Sequence, residues 1–150
     1  MNLLDQEMHR GKVVPASKYR TGQPVQVQKS ANNPFGFEGY VENRIRHADE
    51  YLYLVRSSHS GHASILVVEG DLSPWKTTYA QGDTVRALFQ EGECFVDAEA
   101  TVDALRYDEK TGQATYWACR TTDGKRGYFD QFIEIGGKTV LCHFSIRHAA

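Results

Sequence analysis

Residues 96–104, VDAEATVDA, decide the fold class. Every second side chain is small and apolar, and the positions between them carry Asp, Glu or Thr. Because successive side chains of a β-strand point to opposite faces, this alternation predicts an antiparallel strand with one face in the core and one in water. A helix over residues 97–107 is the competing interpretation, since Val102 and Leu105 have the spacing of one helical turn. The two-residue period favours the strand.

Further strand patterns fill the rest of the chain. Short runs rich in β-branched and aromatic residues predict strands at 24–28, 51–56, 63–69, 84–89, 114–120 and 127–135. Turn-forming residues separate the runs, as Asp123-Gly124 does between the last two. No amphipathic helical pattern of 10–15 residues lies between them. The sequence therefore favours an all-β protein built of hairpins over a parallel sheet.

An internal repeat relates the two halves of the chain. TGQPVQV at 21–27 resembles QGDTVRA at 81–87, so that Gly22 matches Gly82 sixty residues further on. Self-similarity of this kind indicates two copies of one β unit.

A second match supports the same repeat. YLVRSSHSG at 53–61 resembles WACRTTDG at 117–124, and this alignment pairs Arg56 with Arg120. Each arginine then stands at the end of a strand, beside a predicted turn.

These strands resemble a known class of barrel. GDTVRALF at 82–89, followed by CFVDAEATV at 94–102, is similar to the opening of a Tudor-type barrel, in which a Gly-Asp turn precedes a strand and a variable loop. The resemblance is to the small SH3-like barrels of the Tudor and KOW type and covers about 110 of the 150 residues. It implies a five-stranded barrel in each half. It also implies binding through loops and aromatic residues at one barrel end, with nucleic acid, methylated side chains or protein as ligands.

The expected architecture is all-β, with two similar small antiparallel SH3-like barrels in tandem. The predicted segments are an N-terminal helical or extended arm at 1–19, a first barrel at 20–73, a linker at 74–79, a second barrel at 80–136, and a C-terminal strand and tail at 137–150. A single five-stranded unit of this size is marginally stable. Either the halves share a core or the chain pairs with another copy, so a homo-oligomer is among the expected arrangements.

Composition restricts the function. The formal net charge is −2, which argues against a protein that coats nucleic acid or anionic membranes by its overall charge. No 18-residue apolar run is present, so no membrane segment is expected. Cys94, Cys119 and Cys142 are an odd set without a CxxC pair, which is typical of reduced thiols in a cytoplasmic protein. Neither a metal site nor a cofactor motif is predicted, and Cys142, Trp75 and Trp117 are interpreted as packing residues.

A local basic patch carries the main functional hypothesis. Basic residues interleaved with Tyr and Trp can hold phosphates while the rings stack on bases. The sequence therefore predicts a non-catalytic binding module for nucleic acid or a nucleic-acid-associated protein. The predicted site residues are Arg44, Arg46, Arg56, Arg120, Lys125 and Arg126.

Two alternatives remain open. The acidic positions Asp97, Glu99 and Asp103 share one face of a strand and suit a protein-only adaptor or inhibitor that docks a basic partner.

The second alternative is enzymatic. His62 with Ser64, and His143 with Ser145, form two HxS motifs that resemble those of the two-histidine phosphoesterases. There one imidazole removes a proton while the other supplies one to the leaving group. The helices that pack beside the motif strands in that family have no counterpart in this sequence pattern. The sequence therefore favours a protein that is not an enzyme.

Overall fold

Two β-sheets, one from each half of the chain, make up the architecture. The computed structural model describes residues 16–31, 33–59 and 63–143, and the N-terminal arm up to residue 15 lies outside these ranges. The first sheet contains β1 (Pro24–Val27), β2 (Phe37–His47), β3 (Glu50–Ser57), β4 (Ser64–Val68) and β5 (Leu72–Pro74), with a 3-10 turn at Glu69–Asp71. All its pairings are antiparallel, in the order β4-β3-β2-β1-β5.

Six strands form the second sheet. They are β6 (Thr84–Glu91), β7 (Cys94–Tyr107), β8 (Ala114–Arg120), β9 (Arg126–Phe129), β10 (Gln131–Ile135) and β11 (Lys138–Cys142). The order is β10-β11-β6-β7-β8-β9, antiparallel except for a single parallel bridge between β11 and β6. Neither ladder closes into a barrel. The all-β prediction is confirmed, and no helix in the described ranges has the length and apolar character that a membrane crossing requires.

The strand predicted at 96–104 is confirmed as part of β7, with one irregularity. Its pairing with β8 skips Asp103, which forms a β-bulge between Val102 and Ala104. The extra residue shifts the alternation by one position. Val102 and Leu105 therefore both point into the core, at 1% and 2% exposure. Their three-residue spacing, which suggested a helix, comes from the bulge.

One predicted strand is divided in two. The run at 127–135 forms β9 and β10, which are separated by Asp130. The amide of Asp130 donates to the carbonyl of Cys142 at 3.1 Å. The chain thereby leaves the edge beside β8 and pairs with β11 instead.

The repeat appears in the backbone hydrogen bonds. The amide of Gly22 donates to the carbonyl of Val41 at 2.7 Å, and the amide of Gly82 donates to the carbonyl of Val102 at 2.9 Å. The amide of Val41 in turn donates to the carbonyl of Gln23 at 3.0 Å, and the amide of Val102 donates to the carbonyl of Asp83 at 2.9 Å. In both halves the bulged residue is the acidic residue directly after the valine. The match of Gly22 with Gly82 is confirmed.

The match of Arg56 with Arg120 is wrong by one residue. Arg56 pairs with Tyr40, one position before the repeated valine, whereas Arg120 pairs with Ala100, two positions before it. Side chains one position apart lie on opposite faces of a strand. Consequently Arg56 is exposed and Arg120 is buried.

The two halves contribute jointly to one core. Tyr40 from β2 and Trp75 from the segment after β5 are buried in a cluster otherwise built from the second sheet. A separate cluster under the first sheet includes Tyr19 and Tyr53. Trp75 is thus a packing residue, as predicted, and Cys142 is fully buried.

The repeated glycines provide a test of the junction between the halves. Gly22 and Gly82 have φ of +91° and +93°, a region that L-residues adopt at a cost of about 1 kcal/mol or more. A Cβ on Gly22 would overlap the carbonyl oxygen of Gln81, whereas one on Gly82 meets no atom within 4 Å. We expect Gly22→Ala to lower the free energy of unfolding by about 3 kcal/mol and Gly82→Ala by about 1 kcal/mol. Urea unfolding followed by circular dichroism measures both, and equal losses would contradict the close approach of Gln81.

Candidate ligand-binding groove

A groove of about 1020 Å³ opens where β7 and β8 meet their connecting loop. It is lined by residues of β7, β8, β9 and β10, by the loop at 108–113, and by Thr77, Thr78, Asp130 and His143 outside the strands. Its aromatic lining residues are Tyr107, Tyr116, Trp117, Tyr128, Phe132 and His143. A site of this size accommodates several side chains of a ligand.

Three of the rings form a row, two on the adjacent strands β8 and β9 and the third directly after β11. Trp117 of β8 and Tyr128 of β9 are direct partners in the ladder, so their side chains share one face. Their ring centroids lie 5.1 Å apart, and the ring of His143 lies 6.0 Å from that of Tyr128. The Tyr128 hydroxyl donates to Oγ1 of the buried Thr115 at 2.8 Å. All three rings are half-buried, which leaves them partly open to a ligand.

Asp103, the bulged residue of β7, is linked to the ring of Trp117 through Arg126. The carboxylate of Asp103 accepts a hydrogen bond from Nε of Arg126 at 2.8 Å. The guanidinium carbon of Arg126 then lies 4.4 Å from the centroid of the Trp117 ring, a cation–π arrangement. Arg126 is therefore a positioning residue for the ring.

Tyr116, which lines the groove, is hydrogen-bonded to the segment that joins the two sheets. The amides of Thr78 and Tyr79 donate to the hydroxyl oxygen of Tyr116, at 3.1 and 3.2 Å. Burial raises the pKa of Tyr116 above its usual value, although these two hydrogen bonds oppose the shift. Its hydroxyl therefore stays protonated at neutral pH.

The first half of the chain also reaches the groove. The ring of His59 stacks on Tyr107 with centroids 4.4 Å apart, and Nε2 of His59 lies 2.8 Å from a carboxylate oxygen of Glu38. The amide of Tyr107 donates to the carbonyl of Ser58 at 2.9 Å. These contacts fix one wall of the groove against the first sheet.

The charged residues that line the groove are of both signs. Three acids and two bases lie there: Asp108, Glu109, Asp130, Arg106 and Lys110. Among the described lining residues there is therefore no excess of positive charge.

Arg120, one of the six predicted basic site residues, belongs to a structural ion cluster instead. Its guanidinium donates to both carboxylate oxygens of Asp123, at 2.9 and 2.6 Å, and forms an ion pair with Glu91. It lies over the ring of Phe89, with its carbon 5.2 Å from the centroid. Hydrogen bonding to Asp123 and Glu91 raises the pKa of Arg120, and the same bond holds the pKa of Asp123 well below its usual range. The cluster joins the end of β6 to the β8–β9 turn.

The other five basic residues are dispersed. Arg126 contacts the ring of Trp117 but does not itself line the groove, whereas Nζ of Lys125 donates to the carbonyl of Gln90 at 2.6 Å. Arg56 forms an ion pair with Glu42 at 3.4 Å. Arg44 and Arg46 lie on the exposed end of β2. The structure thus does not bring the predicted patch together around Arg120.

The residues of the two alternative sites are placed as follows. Asp97 pairs with Arg86 at 2.9 Å, and Glu99 is exposed on the same strand. The hydroxyl of Ser64 donates to Glu42. His62 and Ser145 lie outside the described residues, so the paired HxS arrangement stays a prediction.

Sequence reasoning missed the groove and assigned Trp117 to packing. The available signal was the density of aromatic residues at 116–132 around a short turn. That segment forms β8 and β9 and continues into β10. The pairing of Trp117 with Tyr128 depends on the register of the turn, which the sequence pattern does not specify.

The Arg120–Asp123 pair has a pH signature. A carboxyl whose pKa is lower in the folded chain stabilises the fold above its unfolded pKa of about 3.9, and this contribution is lost as the pH falls through the folded value. We expect Asp123→Asn to lower the melting temperature throughout pH 5–8, and the difference from wild type to shrink below about pH 4. Thermal unfolding across this pH range measures it. Glu93→Gln, in the exposed β6–β7 turn, is the control with the same charge change. A difference that does not depend on pH would contradict the ion pair.

The sequence matches no model of a known protein family and no curated protein. In the described ranges, no three His, Cys, Asp or Glu side chains are grouped so as to hold a metal ion. Functional inference therefore rests on the geometry of the groove.

Proposed function

We propose that the protein is a non-catalytic binding module that holds an extended peptide segment of a partner protein in the groove. The observation that carries this proposal is the row of half-buried rings formed by Trp117, Tyr128 and His143. Aromatic rings of this kind offer large contact areas at a low entropic cost and are enriched at protein interfaces. The neighbouring strands hold them in place.

The lining charges favour a peptide over a phosphate backbone. Binding to nucleic acid depends on a local excess of Lys and Arg, whereas the described residues that line this groove include three acids and two bases. Moreover, Arg56, Arg120 and Arg126 each have a carboxylate partner, which reduces the positive potential they present. A polypeptide with polar and apolar side chains suits a lining of mixed charge.

We also infer that each half is a variant of the SH3-like unit that the sequence resembles. Five antiparallel strands in the first sheet support this inference. So does the curl of the second sheet, in which the rings of Phe89 on β6 and Phe129 on β9 have centroids 5.3 Å apart although no ladder joins these strands. Ligand binding by loops and aromatics at one end, which the resemblance implies, agrees with the position of the groove.

Removing one ring of the row tests the peptide proposal. Peptides would be selected on the full chain from a random displayed library, and the affinity of each synthetic peptide measured by fluorescence polarisation. We expect Trp117→Ala and Tyr128→Ala each to weaken binding by about tenfold or more, because truncating a central aromatic residue costs over about 1.4 kcal/mol. Phe35→Ala is the matched control, since this ring is 80% exposed and does not line the groove. Selection of no peptide, or equal binding to all variants, would refute the proposal.

A salt titration with a mixed-sequence single-stranded oligonucleotide tests the nucleic-acid hypothesis. For phosphate binding, the logarithm of the association constant falls linearly with the logarithm of the salt concentration, with a slope of about one for each phosphate contact. We expect weak binding without a steep slope, because the groove lacks excess positive charge. Tight binding with a steep salt dependence would instead favour nucleic acid as the ligand. That slope should then be smaller in the Arg44→Ala, Arg46→Ala double variant.

A further inference from the structure

The outer face of the first sheet carries an apolar patch. Leu52 stands opposite Ile45 on β2 and Val68 on β4, and Leu54 stands opposite Leu66 on β4. Residues directly opposite in a ladder share a face, so these five side chains are contiguous. The intervening residues of β3 and β4 point into the core, where Tyr53, Val55 and Val67 are at most 1% exposed. Leu66, Val68 and Ile45 are 54%, 40% and 39% exposed.

The patch extends to an open strand edge. β4 is the end strand of its sheet, and within the described residues it pairs only with β3. Its sequence, SILVV, has no charge, proline or glycine. Such an edge offers unpaired backbone groups to another strand, and proteins usually blunt it.

The other three sheet edges carry such protection. The edge strand β5 is three residues long and includes Pro74. β9 carries Arg126, and β10 carries Glu134. β4 therefore differs from the other edges in having neither a charge nor a proline. Within the described residues, β4 is thus the edge strand without such protection.

We propose that the occupant is a second copy of this chain, paired antiparallel along β4 around a two-fold axis at Leu66. In this register Leu66 faces its own counterpart, Ile65 faces Val67, and Ser64 faces Val68. Core-facing residues then meet core-facing residues, and outer residues meet outer residues, as a continuous sheet requires. No charged side chain enters the pairing, so the symmetry places no like charges opposite each other.

A second copy fits this edge because a two-fold interface uses the same patch on both subunits. The pairing would join two five-stranded sheets into one and bring the two apolar patches side by side. It leaves the groove of each copy, which lies on the second sheet, outside the contact. Because five residue pairs bury little area, we expect a weak dimer in the micromolar range.

Sedimentation velocity on the full chain tests the pairing, from about 1 to about 500 µM to span micromolar affinities. We expect a concentration-dependent monomer–dimer equilibrium in the wild type. Leu66→Lys and Leu66→Glu should each be monomeric, because two like charges would meet on the axis. An equimolar mixture of these variants should dimerise again, since opposite charges then meet. Phe35→Lys, at an exposed site outside β4, should behave like the wild type.

Three results would overturn the proposal. They are a wild type that stays monomeric at the highest concentration, a dimer that persists in Leu66→Lys, and a charge-reversed mixture that does not associate. If either variant fails to fold, hydrogen exchange of the wild type decides the question. Every second amide of residues 64–68 points away from β3, and these amides should exchange about tenfold more slowly at high than at low protein concentration, since pairing protects edge amides. An unchanged exchange rate would exclude the β4 contact.

Discussion

The β-bulge at Asp103 is the constraint on which both the core and the groove depend. Because β7 contains one extra residue at this point, the side chains of Val102 and Leu105 both point into the same core. The displaced acid then faces outward, where it holds the guanidinium of Arg126 over the ring of Trp117. A single irregularity of the backbone therefore links the packing of the second sheet to the orientation of its ligand-facing aromatic row.

The corresponding bulge at Glu42 shows how a repeated backbone supports different roles. In the first half the bulged acid contacts Arg56 and Ser64, and among the described residues of that half no aromatic ring is stacked on this arginine. The turn geometry is shared, as the matching hydrogen bonds of Gly22 and Gly82 show. The side chains around this turn differ between the two halves. The first half presents an apolar outer face, and the second half presents the groove.

The sequence predicted the fold class and most strands because alternation is a local signal. The turn at Asp123-Gly124 and the buried Trp75 followed from equally local chemistry. The site was harder to predict, because it depends on register and on partners distant in sequence. Arg120 resembled an exposed base, yet its one-residue shift in register buries it, and it pairs with the half-exposed carboxylates of Glu91 and Asp123. Whether a charged residue binds a ligand or a neighbour is decided by tertiary contacts that no short pattern encodes.

Tyr40 has a consequence for how the molecule unfolds. It belongs to a strand of the first sheet but is 3% exposed inside the core of the second. Detaching the first sheet would strip this ring from that core, and burial of an aromatic side chain contributes a few kcal/mol. Local opening of one half thus raises the free energy of the other, which favours a single cooperative transition over two independent ones. The two halves therefore share one backbone pattern, and we expect them to unfold together.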